Sequence, residues 1–188
     1  GYLMRTEFAG NDVYISKGLY YRDLYHVHKY NGQARYNLNI DYKFFTNADG
    51  ESRSANQITA LRYSGTGIDL SYNYEYDALG NISNASGVTY AYDALNQLIR
   101  ENNPDTGKTY VYSYDTAGNI LFAKTYAYTT GALGTPLSED VYAYTDANWG
   151  DKLTSYNGVS FTYDVQGNPL TYYNGENYTF TWQNGRQL

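Results

Sequence analysis

One stretch constrains this chain more than any other: Tyr74-Glu75-Tyr76-Asp77-Ala78-Leu79-Gly80-Asn81-Ile82. Its pattern is aromatic, any residue, Tyr, Asp, two residues, Gly, Asn, aliphatic. It returns as Tyr112-Ser113-Tyr114-Asp115-Thr116-Ala117-Gly118-Asn119-Ile120 and as Phe161-Thr162-Tyr163-Asp164-Val165-Gln166-Gly167-Asn168-Pro169-Leu170. Tyr90 to Leu98 repeats it with Asn96 where Gly stood. Tyr142 to Leu153 is a stretched copy and Phe180 to Leu188 a contracted one. A chain with internal repeats folds as repeated supersecondary units, so this pattern outranks every local propensity.

Each copy predicts a hairpin. Aromatics at i and i+2 share one strand face, because side chains alternate with period two. Asp suits the first corner of a type I turn, where its carboxylate accepts backbone N–H groups two residues on. Gly suits the position where the chain needs positive φ to rejoin the return strand, and Asn is the next best residue there. The structural residues are therefore Asp77 and Gly80, Asp93 and Asn96, Asp115 and Gly118, Asp164 and Gly167, and Asn184 and Gly185. From Tyr76 the key aromatic recurs after 16, 22, 30, 19 and 19 residues. A fixed solenoid coil does not tolerate that spread. A run of hairpins does, because loop length is cheap to vary.

The motif Tyr-Asp-x-x-Gly-Asn-Ile and the closing Trp182-Gln183-Asn184-Gly185-Arg186-Gln187-Leu188 resemble the YD-repeat, or rearrangement-hotspot (Rhs), family. The resemblance covers residues 63–188. It implies an all-β, elongated, twisted strip of consecutive antiparallel β-hairpins with open edges. In that family such strips wind into hollow shells in bacterial toxins and in animal teneurin adhesion proteins. The family's usual turn is Gly-Arg, whereas Gly-Asn dominates here and only Gly185-Arg186 keeps Arg. No Asp-Pro-rich self-cleaving motif and no variable toxin segment is visible, so those activities are not carried over.

Composition agrees with a β chain. Aromatics make up 18% of the 188 residues, 26 of them Tyr, and charged residues only 17%. Aromatics favour strands. Cysteine is absent, which excludes disulfides and thiolate chemistry. No apolar run approaches the ~20 residues of a membrane helix, and no signal peptide is visible. The net charge of −6 argues against nucleic acid. Residues 1–62 hold eight Lys/Arg and six Asp/Glu, whereas 63–188 hold five and thirteen. Turn chemistry that demands Asp accounts for the acidic part. The chain is expected to be a piece of a longer secreted or cell-surface bacterial protein, with further YD repeats as its nearest partners.

Residues 1–62 read as degenerate hairpins and 63–188 as the hairpin array. Leu19–Tyr30 and Arg35–Phe45 are expected strands joined at Asn31-Gly32, with Tyr36, Leu38, Ile40, Tyr42 and Phe44 alternating cleanly. Residues 129–140 are the longest expected loop. Asn157-Gly158 and Asn174-Gly175 are type I′ signals.

Few residues invite chemistry. His26 and His28 share a strand face, but two ligands do not make a metal site. Asp77, Asp93, Asp115 and Asp164 recur at every turn, which the turn explains and a glycosidase pair does not. No catalytic residue, metal or cofactor is expected. Tyr72, Tyr74, Tyr76, Tyr90, Tyr92, Tyr110, Tyr112 and Tyr114 form ladders that are core if buried. If exposed they are a surface able to stack on sugar rings, with Tyr110, Tyr112, Tyr114, Trp149 and Trp182 as candidate stacking residues. Two readings follow. The first is a non-enzymatic module of a shell that encloses or displays an effector. The second is a carbohydrate-binding adhesin. The strand expected from Tyr178 to Trp182, unpaired on one side, also predicts self-association by strand addition.

Overall fold

The computed structural model describes the backbone of residues 3–8, 11–17, 24–30, 33–46 and 48–188, and side chains at 38–46, 48–51 and 55–188. It is all-β over those residues, and every pairing is antiparallel between strands adjacent in sequence. The chain divides into two compact units, Gly1–Thr89 and Tyr90–Leu188.

The first unit runs through β1 (Leu3–Phe8), β2 (Asn11–Lys17), β3 (Leu24–Tyr30), β4 (Gln33–Thr46), β5 (Ser52–Gly65), β6 (Ile68–Tyr76) and β7 (Ile82–Ala85) into β8 (Val88–Tyr92). The longest hairpin is β4–β5, in register as Leu38↔Tyr63 and Ile40↔Leu61. The register shifts at Asp41/Tyr42 and again at Tyr42/Phe44. The extra residue at such a shift is a bulge, which bends the strand without moving its apolar set to the other face. Leu38, Ile40, Tyr42 and Phe44 accordingly stay half-buried, while Lys43 and Phe45 are exposed. Ala60, 2% exposed, is the most enclosed apolar side chain described in this unit. Residues 19–23 of the expected strand and the Asn31-Gly32 turn lie outside the described residues. The side chains of His26 and His28, on β3, lie outside them too.

The second unit continues through β9 (Leu98–Asn103), β10 (Lys108–Tyr114), β11 (Ile120–Ala127), β12 (Ser138–Ala143), β13 (Ser155–Tyr156), β14 (Val159–Ser160), β15 (Thr171–Tyr173) and β16 (Asn177–Thr179). Its strands are longer through β12 than from β13 on, and the last repeats include the single bridges Tyr163↔Pro169 and Gln183↔Gln187. Among the described residues the buried side chains of this unit are Thr109, Tyr126 and Asn168. Two of those three are polar, so bonding between repeats has to supply much of what a thick apolar core supplies elsewhere.

Two local expectations need correction. Asn174-Gly175 is not a type I′ turn. Only Gly175 has positive φ, and Tyr173 pairs with Asn177, so the loop holds three residues. Asn157-Gly158 does have positive φ at both positions, 49° and 80°. The expected long loop ends earlier than 140, because β12 begins at Ser138 and pairs Thr125 there.

Candidate functional site

The repeated turn is a closed set of hydrogen bonds around one carboxylate. Asp115 Oδ1 accepts the N–H of Ala117 at 2.9 Å and of Asn119 at 2.9 Å. Its Oδ2 accepts the Asn119 carboxamide at 2.9 Å. The backbone closes the ring, with Gly118 N–H on Asp115 O at 3.2 Å and Asp115 N–H on Asn119 O at 2.9 Å. Asp77 and Asp164 repeat every one of these contacts with Asn81 and Asn168. Asp93 repeats the backbone contacts with Leu95 and Gln97. Gly80, Gly118 and Gly167 have φ of 91°, 92° and 84°, and Asn96 stands at 61°. That is the type I turn with a left-handed residue that lets two strands rejoin. The Asn119 amide, then backbone N–H groups, hold the Asp115 carboxyl below its usual range, and the Asn81 and Asn168 amides do the same for Asp77 and Asp164. These carboxylates are occupied by turn geometry.

The stretched copy also gathers donors on its Asp, in a different pattern. Asp146 Oδ1 accepts the N–H of Asn148 and Trp149, at 2.9 and 3.0 Å. Gly150 stands where three other copies have Asn, and Lys152, two residues further on, forms an ion pair with Asp146 Oδ2. That bond leads in holding the Asp146 carboxyl below its usual range.

The Tyr of each Tyr-Asp pair does more than pack. Tyr76 Oη donates to Ile58 O at 2.7 Å, Tyr114 Oη to Leu98 O at 2.7 Å, and Tyr163 Oη to Leu153 O at 2.6 Å. In the last repeat Trp182 Nε1 does the same to Pro169 O at 2.6 Å. For Tyr114, Tyr163 and Trp182 the acceptor is the carbonyl just past the turn of the repeat before. Each bond therefore locks one repeat to its predecessor. Tyr144, which follows the long loop, makes no such bond among the described residues. The sequence carries the signal. The strand position two residues earlier accepts Tyr or Phe (Tyr74, Tyr112, Phe161, Phe180). The lock position always has an aromatic with a polar tip.

The turn glycines seat a second contact between repeats. A Cβ on Gly80 would meet Gln57 Nε2 at 3.4 Å, and one on Gly118 would meet Gln97 Nε2 at 3.2 Å. On Gly167 it would lie 2.5 Å from Trp149 Cζ3 and 2.7 Å from Cη2. Trp149, though 48% exposed, thus covers Gly167 with its ring edge, and the Lys152 ammonium lies 5.6 Å from its centroid. Asn168 Nδ2 also reaches Gly185 O at 2.6 Å, tying the turn at Asn184-Gly185 to the repeat before.

Sequence reasoning missed how the long loop is held. Arg100 donates to Thr129 O at 2.7 Å and Gly131 O at 3.0 Å, and its Nε to Asn102 Oδ1 at 2.7 Å. Thr109, fully buried, exchanges hydrogen bonds with Thr129 at 3.0 Å each way. Leu137 N–H closes the far end on Thr125 O at 2.7 Å. No spacing in the sequence links residues so far apart.

The stacking candidates do not make one surface. Tyr110, Tyr112 and Tyr114 are half-buried on β10, and burial, then Glu101, pushes the Tyr112 phenol up. A different aromatic groove opens beyond them, with a volume of about 770 Å³. Tyr142, Tyr156, Phe161, Tyr163, Tyr172 and Tyr173 line it, and none of the five candidates does. The Tyr142 and Tyr156 rings are 5.1 Å apart, and Phe161 stacks on Tyr172 at 6.3 Å and 12°. Tyr156 Oη donates to Asp140 at 2.6 Å, and that bond to the carboxylate pushes its phenol up to about 12. Such a groove can hold a flat apolar face against aromatic rings and offer polar tips at the rim. Among the described residues no cluster of three His, Asp or Glu side chains has metal-site geometry.

No curated protein matches the chain. A family model does: residues 92–132 match the RHS Repeat, a segment that runs from Tyr92 through the Asp115 turn and the Tyr114 lock into the anchored loop. The structural pattern that this segment shares with the Asp77 and Asp164 copies agrees with that match, so over residues 92–132 the chain is similar to an RHS repeat.

Proposed function

We propose that this chain is wall material: a non-enzymatic module of a YD/Rhs shell that encloses or displays an effector in a secreted or cell-surface bacterial protein. The carrying observation is the series of locks at Tyr76, Tyr114, Tyr163 and Trp182, each joining a repeat to the one before. A wall needs stiffness between successive units more than it needs a cleft, and nearest-neighbour bonds are how repeat proteins obtain it. The turn carboxylates are spent on their own backbones, which supports a role without catalysis. The test is limited proteolysis of the full-length protein that carries this segment. Deleting the segment should expose downstream sequence to cleavage. Unchanged protection of that sequence would argue against a shell role.

The aromatic groove favours a second reading, carbohydrate binding, at Tyr142, Tyr156, Phe161 and Tyr172 rather than on β10. A glycan array with Tyr172→Ala as control tests it. Specific binding lost in the variant supports the adhesin reading, and binding that survives it removes this groove as the site.

A further inference from the structure

Three Asn-Gly steps lie in turns among the described residues: Asn157-Gly158, Asn174-Gly175 and Asn184-Gly185. Such a step is open to one reaction that needs only water. The glycine nitrogen gives up its proton to solvent and attacks the Asn side-chain Cγ, with no Cβ on the glycine to obstruct it. A C–N bond forms, the bond to the carboxamide nitrogen breaks, and ammonia leaves. Water then opens the resulting succinimide at either carbonyl. The product is Asp, or isoaspartate with the main chain routed through the side chain.

The fold treats the three steps differently. The Asn157 carboxamide is held at both ends, its Oδ1 accepting Val141 N–H at 2.7 Å and its Nδ2 donating to Asp140 Oδ1 at 2.9 Å. Asn184 Nδ2 donates to Gln187 Oε1 at 2.8 Å. Both residues are locked in the left-handed region, at 49° and 48°. Asn174 is exposed, its φ is not positive, and its carboxamide makes no hydrogen bond among the described residues. Its side chain can rotate onto the next nitrogen without breaking anything first.

We propose that Asn174 is a spontaneous modification site, the one Asn-Gly step of the three at which the folded chain leaves succinimide formation open. The consequence is local and chemical. Asn174 and Gly175 line the rim of the aromatic groove. Conversion to Asp puts a carboxylate at that rim. Conversion to isoaspartate lengthens the main chain by one carbon in the loop that sets the Tyr173↔Asn177 register.

The intact protein is incubated in mildly alkaline buffer, and Asp and isoaspartate at the three positions are followed by peptide mass spectrometry. The expected result is conversion at Asn174 at least about tenfold faster than at Asn157, whose two hydrogen bonds, one to a carboxylate, must break first. In concentrated urea the rates should converge. Equal rates in the folded protein, or a preference for Asn174 that persists in urea, would overturn the proposal.

Discussion

Gly167→Ala tests the contact between repeats most directly. The substitution does two separable things. Its φ of 84° is a region where a Cβ costs ~1–2 kcal/mol. The new methyl would also lie 2.5 and 2.7 Å from Trp149 Cζ3 and Cη2, where carbon atoms rest at ~3.5–4.0 Å. The indole must move by about 1 Å or leave, an overpacking term of ~1–3 kcal/mol. Gly158→Ala isolates the first effect, since its φ is 80° and a Cβ there meets nothing within 4 Å. We therefore expect a loss of ~1–2 kcal/mol for Gly158→Ala and about 2–5 kcal/mol for Gly167→Ala. Urea titration followed by Trp fluorescence reads both, and Trp149 is one of only two tryptophans in the chain. With m of ~1–3 kcal/mol/M, the excess for Gly167→Ala is a midpoint lower by about 1 M. In a Trp149→Ala background the excess should vanish, leaving the two alanines equal. The reasoning fails if they are already equal with Trp149 present, or if removing Trp149 leaves the difference intact.

Tyr114→Phe should cost ~1–2 kcal/mol, because it deletes one hydrogen bond and strands the Leu98 carbonyl, and each kcal/mol lowers Tm by about 4–8 °C in a unit of this size. Tyr110→Phe, which removes a hydroxyl with no hydrogen-bond partner among the described residues, should leave Tm nearly unchanged; equal shifts in the two variants would refute the lock. The carboxyls of Asp77, Asp115, Asp146 and Asp164 are held below their usual range when folded. Their contribution is present above the unfolded pKa of ~3.9 and is lost as pH falls through the folded values, so urea midpoints should drop below about pH 4. Asn119→Ala should reduce the share of that acid loss due to Asp115, and an unaltered acid limb would count against the turn circuit. Arg100→Met frees the Gly131 carbonyl and leaves the Thr129 carbonyl only its Thr109 donor, so protease should nick residues 129–136 faster while the other hairpins resist. A cleavage rate equal to wild type would mean that Thr109 and the Leu137–Thr125 bond hold the loop without Arg100.

Several levels were legible in the residues alone. A hairpin is a local object: Tyr-x-Tyr-Asp-x-x-Gly-Asn places strand, corner and left-handed residue within ten positions, and backbone sterics leave one economical solution. The turns at Asp77, Asp93, Asp115 and Asp164 and the all-β run of consecutive hairpins follow from that. Asn174-Gly175 misled because a dipeptide does not determine its turn. The register of Tyr173 with Asn177 opened the loop to three residues and left Asn174 outside the left-handed region. What joins one repeat to the next was not local. The reach of Tyr163 Oη to Leu153 O, the seating of Trp149 on Gly167 and the clasp of Arg100 on Thr129 each span ten or more residues with irregular spacing. Periodicity assigns a side chain to a face, but only the stacking of one repeat on another decides what its polar tip meets. The tyrosine count announced a ladder. Tertiary structure alone decided that half-buried rings at the lock positions would spend their hydroxyls on a neighbour's carbonyl, while those around Tyr172 were left lining an open groove.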